Sequence, residues 1–125
     1  METDRAGPVR SHRDLFIWQK SMDLVIRVYA LAENFPETEK YRLTAQITRA
    51  VVSVPSNIAE GNAQGTRKAY ANFLSVSKGS LMETETLLII AQRLGYLTGP
   101  EATESLALAT ELSKMMTALR SKLTR

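Results

Sequence analysis

The chain has 125 residues, 16 lysines and arginines against 13 aspartates and glutamates, a net charge of +3 and no cysteine. That length suits one domain with its own core, and the lack of cysteine excludes disulfides, thiolate nucleophiles and cysteine-held zinc. The polar start from Met1 to Pro8 lacks the apolar stretch of a signal peptide, and no apolar run approaches the roughly 20 residues that span a bilayer, so a cytoplasmic protein is expected.

Residues 1–13 mix charge with Gly7 and Pro8 and show no apolar period, which predicts a flexible arm ahead of a folded domain over 14–125. Beyond Asp14, Trp18, Met22, Val25, Tyr29 and Ala32 recur at helical spacing and predict the buried stripe of a first helix. Phe35-Pro36 ends it, because the residue before a proline is pushed out of the helical region. A second helix is expected after Thr38 as N-cap, with Leu43, Ile47, Ala50 or Val51, Val54 and Ile58 on one face and Gly61 as its stop. Pro55 interrupts it, and the lost amide and the clash with the Val51 carbonyl predict a kink. Beside that face Gln46, Arg49, Ser53, Ser56 and Glu60 form a polar stripe, read as solvated.

After the loop Gly61 to Gly65, a third helix is expected from about Thr66 to Leu94, roughly 43 Å long at about 1.5 Å per residue, with Gly95 as its C-cap. Thr98 and Glu101 frame a capping box with Pro100 in the first turn, and Leu106, Leu112, Met116, Leu119 and Leu123 carry a fourth helix towards the C-terminus. Connections this short favour antiparallel neighbours, so the fold class is all-α, an antiparallel up-down four-helix bundle with its second helix kinked at Pro55. Leu24-Val25-Ile26, Ala50-Val51-Val52 and Leu87-Leu88-Ile89-Ile90 hold more apolar surface than one core-facing stripe absorbs. Monomers seldom expose large apolar patches, which predicts self-association.

Four stretches carry a resemblance: Asp14-Leu15-Phe16-Ile17-Trp18-Gln19-Lys20-Ser21-Met22-Asp23-Leu24, Val54-Pro55-Ser56-Asn57-Ile58-Ala59-Glu60-Gly61, Phe73-Leu74 through Lys78-Gly79-Ser80-Leu81, and Leu94-Gly95-Tyr96-Leu97. Over about residues 13 to 97 they resemble, in register, the four-helix bundle proteins encoded in intervening sequences of bacterial 23S ribosomal RNA genes. The resemblance implies a ring-shaped homopentamer and kinship with the accessory variability determinants of diversity-generating retroelements, which partner a reverse transcriptase and nucleic acid. It implies no enzyme activity, and no cofactor is expected. Two positions depart from the pattern: Asn62-Ala63-Gln64 stands where that family often has an arginine, and Ala69 stands where it often has an acid that would complete a capping box with Thr66.

Catalytic constellations are thin. His12 is the only histidine and falls in the expected arm, so no base is positioned for a nucleophile. Glu83, Glu85, Glu101, Glu104 and Glu111 have no histidine at a metal-binding spacing and are read as a solvated acidic face. No phosphate-loop ending accompanies Gly61, Gly65 or Gly79. Charge, in contrast, is segregated along the chain. Lys40 to Lys78 holds six cations against Glu60 alone, and the stretch from Leu112 holds four with no acid, while Gly79 to Glu111 sets Arg93 against five glutamates. Arg42, Arg49, Arg67, Lys68, Lys78, Lys114, Arg120 and Lys122 are therefore the candidate nucleic-acid contacts. Tyr41, Tyr70 and Phe73 are assigned to the core, which leaves little aromatic surface for stacking. Two functions stand open: a non-enzymatic oligomeric module binding RNA or DNA non-specifically, alone or with a reverse transcriptase, and a purely structural or protein-interaction scaffold with incidental positive charge.

Overall fold

Periodic apolar spacing becomes helix where a start and a stop support it. The computed structural model of the chain describes residues 11–125, so the expected arm lies outside the described residues as far as residue 10. Four helices follow: α1 (Phe16–Ala32), α2 (Leu43–Asn62), α3 (Arg67–Arg93) and α4 (Gly99–Leu123), with 3-10 turns at His12–Asp14 and Glu37–Glu39 and no strand among the described residues. They form a four-helix bundle in which α1 lies on α2, α2 on α3, α3 on α4 and α4 on α1. Leu24, Ile47, Ile58, Leu81, Leu88 and Leu112 are fully buried at its centre. No described helix is long and apolar enough to cross a membrane.

The ends of α3 and α4 follow from their residues. Thr98 and Glu101 make a reciprocal box, with the Glu101 N–H donating to Thr98 Oγ1 (3.2 Å) and the Thr98 N–H to Glu101 Oε1 (2.9 Å). Thr66 caps α3 by accepting from the Ala69 N–H at 3.2 Å, and an alanine at 69 has no carboxylate to answer it. Gly95, at φ +82°, closes α3, with its N–H donating to Gln92 O (3.0 Å) and the Tyr96 N–H to Ala91 O (2.9 Å). A side chain at that φ would be strained, which is why the helix ends on glycine.

Three expectations are corrected. Thr38 does not cap α2: it lies in the turn Glu37–Glu39, and α2 starts at Leu43, whose N–H donates to Glu39 Oε1 at 3.3 Å. Gly61 does not stop α2, which runs on to Asn62; it is buried, and a Cβ built on it would stand 2.7 Å from Phe73 Cβ and 3.1 Å from Tyr70 Cδ1. Its role is to let α3 approach α2, a packing demand that looks in sequence like a helix stop. On α1 the buried face is Ile17, Ser21, Leu24, Val28 and Ala32, not the stripe through Trp18, Met22 and Tyr29. The run Leu24-Val25-Ile26 offers two stripes about 100° apart, and the one chosen contains a serine whose hydroxyl donates to its own helix, at Trp18 O (2.7 Å). Trp18 and Val25 pack against the core from the side, while Tyr29 is exposed.

The other apolar runs divide as expected: Ala50, Val51, Leu87 and Leu88 are buried, and Ile26 (66 % exposed), Val52, Ile89 and Ile90 face outward. α2 and α3 are joined by serines, the Ser77 hydroxyl donating to Val54 O (2.7 Å) and the Ser80 hydroxyl to Ser53 Oγ (3.0 Å). α1 and α4 are joined by ion pairs, Lys20 Nζ to Glu111 Oε1 (2.8 Å) and Arg27 Nη1 to Glu104 Oε1 (2.5 Å). A groove of about 660 Å³ opens between α1 and α4, lined by Asp23, Arg27, Leu31, Glu101, Ser105 and Leu108 among others.

Candidate nucleic-acid interface

Arg67 is the first residue of α3, where the helix dipole disfavours a cation. Its guanidinium turns instead to the end of α4, donating from Nε to Leu123 O (3.4 Å) and from Nη2 to Lys122 O. Those carbonyls lack intrahelical partners and carry the negative end of the α4 dipole, so the pairing suits both helices. Further along the seam, Lys78 Nζ donates to Thr117 Oγ1 and Arg120 Nε to Ser75 Oγ, each at 2.7 Å.

These contacts surround two adjoining recesses. One, of about 430 Å³, is lined by Arg67, Lys68, Asn72, Arg120 and Arg125 among others. The second, of about 400 Å³, is lined by Ser75, Lys78, Gly79, Met82 and Arg120. Every contact named for these cations is to a hydroxyl or a carbonyl, and among the described residues none of Arg67, Lys68, Lys78, Arg120 and Arg125 makes an ion pair. The charges of Arg67, Lys78 and Arg120 are thereby held in place without being neutralised.

Of the eight candidates, the recesses gather Arg67, Lys68, Lys78 and Arg120. Lys122 lends its carbonyl to Arg67, and its own side chain is half-buried. Lys114 is exposed on α4 and lines neither recess. Arg42 and Arg49 are exposed on and before α2, outside both recesses, with Arg42 Nε 3.9 Å from Glu39 Oε1. That Glu39 is buried and accepts from the Tyr96 hydroxyl (2.9 Å); this bond, then the Leu43 N–H, hold its carboxyl below the usual range against the opposing effect of burial.

Two residues take places that the sequence does not predict. Arg125, outside the eight candidates, lines the first recess. Tyr41 does not serve the core: it is 85 % exposed, with Lys40 Nζ 5.5 Å from its ring centroid. The signal available was its setting, a tyrosine between Lys40 and Arg42 with no apolar neighbour at helical spacing larger than Ala45. Tyr70 and Phe73 stay at the bundle's interior edge, where Tyr70 packs on the core and Phe73 meets Gly61. Of the five glutamates read as a solvated acidic face, Glu83, Glu104 and Glu111 are exposed, with Glu104 and Glu111 also pairing with α1, while Glu101 caps α4. Glu85 is half-buried, and burial pushes its carboxyl up. His12 lies in the turn before α1, its ring 5.1 Å from that of Trp18. Among the described residues no group of three or more histidines, aspartates and glutamates is placed to hold a metal ion.

Residues 13–118 match the sequence model of a family described as 23S rRNA-intervening sequence protein. The fold is similar to a crystal structure of a protein with unknown function from the S23 ribosomal protein family of Bacteroides thetaiotaomicron. The TM-score is 0.77 at 24 % identity, over 83 % of this chain and 97 % of that one. No curated protein matches the chain.

Proposed function

We propose that this chain, which belongs to the 23S rRNA-intervening sequence protein family, is a non-enzymatic, oligomeric bundle that binds nucleic acid through the basic face of α3 and α4. The observation that carries this reading is the set of cations around the two recesses, of which Arg67, Lys78 and Arg120 are positioned by neutral partners. Such groups suit phosphates, which supply affinity and register without reading sequence. Fluorescence anisotropy with a labelled RNA or DNA strand tests it. The logarithm of the binding constant is expected to fall with log salt by about 0.7 per contact on single strands and about 0.9 on duplex. Arg67→Ala together with Lys68→Ala is expected to reduce that slope by up to about two contacts' worth at unchanged helix content. No binding at low salt ends the proposal.

The finer architecture belongs to the same reading. The helices run antiparallel, up and down: contacts pair rising numbers with falling ones, as in Lys20 with Glu111 and Arg27 with Glu104, or Ser75 with Arg120 and Lys78 with Thr117. A kink at Pro55 is supported by Ser56 and Asn57, whose side chains reach back to Val52 O (2.9 Å) and Ser53 O (2.8 Å). Self-association is supported by an apolar recess of about 320 Å³ between α1 and α2, lined by Trp18, Met22, Val25, Val52, Pro55, Ser56 and Ala59. Native mass spectrometry is expected to find a closed ring, of five copies on the family resemblance, and a stable monomer at micromolar concentration overturns it. A reverse transcriptase as partner and a cytoplasmic location complete the reading; co-purification and fractionation test them. That apolar recess also supports the second reading, a structural scaffold, which gains if the ring forms and nucleic acid does not bind.

A further inference from the structure

We infer that Gly79 is the point at which a phosphodiester backbone crosses α3, seated between Lys78 and Arg120, an inference that rests on the nucleic-acid reading above. A glycine inside a helix costs about 1 kcal/mol relative to alanine, so its presence asks for a cause. Two causes lie within a chain, and both are visible elsewhere in this one. Gly95 has a positive φ, and Gly61 has Phe73 where its Cβ would be. Gly79 has neither: its φ is not positive, and a Cβ built there meets nothing within 4 Å among the described residues. Packing and conformation inside the chain leave it unexplained, whereas the approach of another molecule to the helix backbone would account for it.

The chemistry around it says what approaches. Gly79 lines the second recess with Ser75, Lys78, Met82 and Arg120. Thr117 holds the Lys78 ammonium and Ser75 holds the Arg120 guanidinium, both across the α3–α4 seam and both as neutral acceptors. Two oriented cations flanking bare helix backbone suit an anionic oxygen pair on a thin chain: the phosphate lies between the cations, and the adjoining sugar carbons rest where a side chain would otherwise stand. Arg120 also lines the first recess, so a strand crossing at Gly79 continues towards Arg67 and Lys68.

The test uses the full chain with Gly79→Ala and Gly79→Leu, read by thermal denaturation, native mass spectrometry and anisotropy with a short labelled single-stranded RNA. Both substitutions are expected to raise the melting temperature, since each restores helix propensity at a position where the added Cβ meets nothing. Affinity is expected to move the other way, weakening modestly for Ala and about tenfold for Leu, with the salt slope reduced by about one contact. Unchanged affinity in Gly79→Leu, while the parent protein binds, overturns the inference and leaves the nucleic-acid reading standing. A parent protein that does not bind at low salt removes that reading itself. Loss of the oligomer in Gly79→Leu assigns the glycine to a contact between copies and overturns the inference as well.

Discussion

Where α2 meets α3, a glycine faces Phe73 and Tyr70 at contact distance, and Ser77 and Ser80 each find an acceptor on the opposite helix. Where α1 meets α4, the small residue Ser105 is equally buried, yet among the described residues its hydroxyl has no partner, and neither has the buried Nε of Arg27. The first seam is closed by backbone approach. The second is bridged by two ion pairs between side chains roughly 40 to 65 % exposed, above a groove of about 660 Å³. Such pairs typically contribute about 0 to 1 kcal/mol each, whereas close-packed contact excludes water along its whole length. A small side chain thus tightens a seam only when the opposite helix supplies something to meet it.

The largest effect is expected at the closed seam. Gly61→Leu must place a side chain where Phe73 Cβ already lies 2.7 Å from the ideal Cβ position. Phe73 Cβ is the root of a side chain and cannot swing away, so α2 and α3 must separate. Overpacking of this kind costs about 1–3 kcal/mol or more, and the backbone-level clash puts Gly61→Leu at the upper end of that range, above the gain of about 1 kcal/mol from replacing a helical glycine. Urea denaturation measures the loss. A Gly61→Leu protein as stable as the parent would mean that the seam is no tighter than the one between α1 and α4.

The two seams were unequally legible in the sequence. Leu43, Ile47, Val54 and Ile58 show the core face of α2 because period and burial coincide there. Thr98, Glu101 and Gly95 show where helices begin and end because caps act within a few residues. Gly61 was misread, since a glycine that admits a neighbouring helix and one that ends its own look alike until that neighbour is placed. The α1 face was misread for a related reason: Leu24-Val25-Ile26 fits two stripes, and only the position of α2 and α4 chooses between them. Among the cations, charge counting found Arg67, Lys68, Lys78 and Arg120, but their gathering depends on contacts 39 to 56 residues apart. Arg42 and Arg49 carry the same charge and lie elsewhere, because sequence proximity to Lys68 says nothing about which seam a side chain joins.

Two serines sharpen the comparison at smaller magnitude. Ser77 and Ser105 are both fully buried on helices, one with its hydroxyl donating to Val54 O at 2.7 Å and the other without a partner among the described residues. Alanine at either site gains the same helix propensity, roughly half a kcal/mol, so the difference between the two variants isolates the hydroxyl. Ser77→Ala loses a hydrogen bond with a net contribution of about 1 kcal/mol and is expected to leave the bundle slightly less stable. Ser105→Ala removes a buried group whose desolvation is uncompensated, at about 1 kcal/mol or somewhat more, and is expected to raise stability. Together the variants should differ by about 2 kcal/mol, several degrees in melting temperature for a chain of this size. The sign at Ser105 is the decisive reading, because turning its hydroxymethyl group into a methyl removes one unpartnered oxygen and leaves the surrounding packing almost unchanged. If Ser105→Ala is destabilised as much as Ser77→Ala, the Ser105 hydroxyl has a partner, and the contrast between the seams reduces to packing alone.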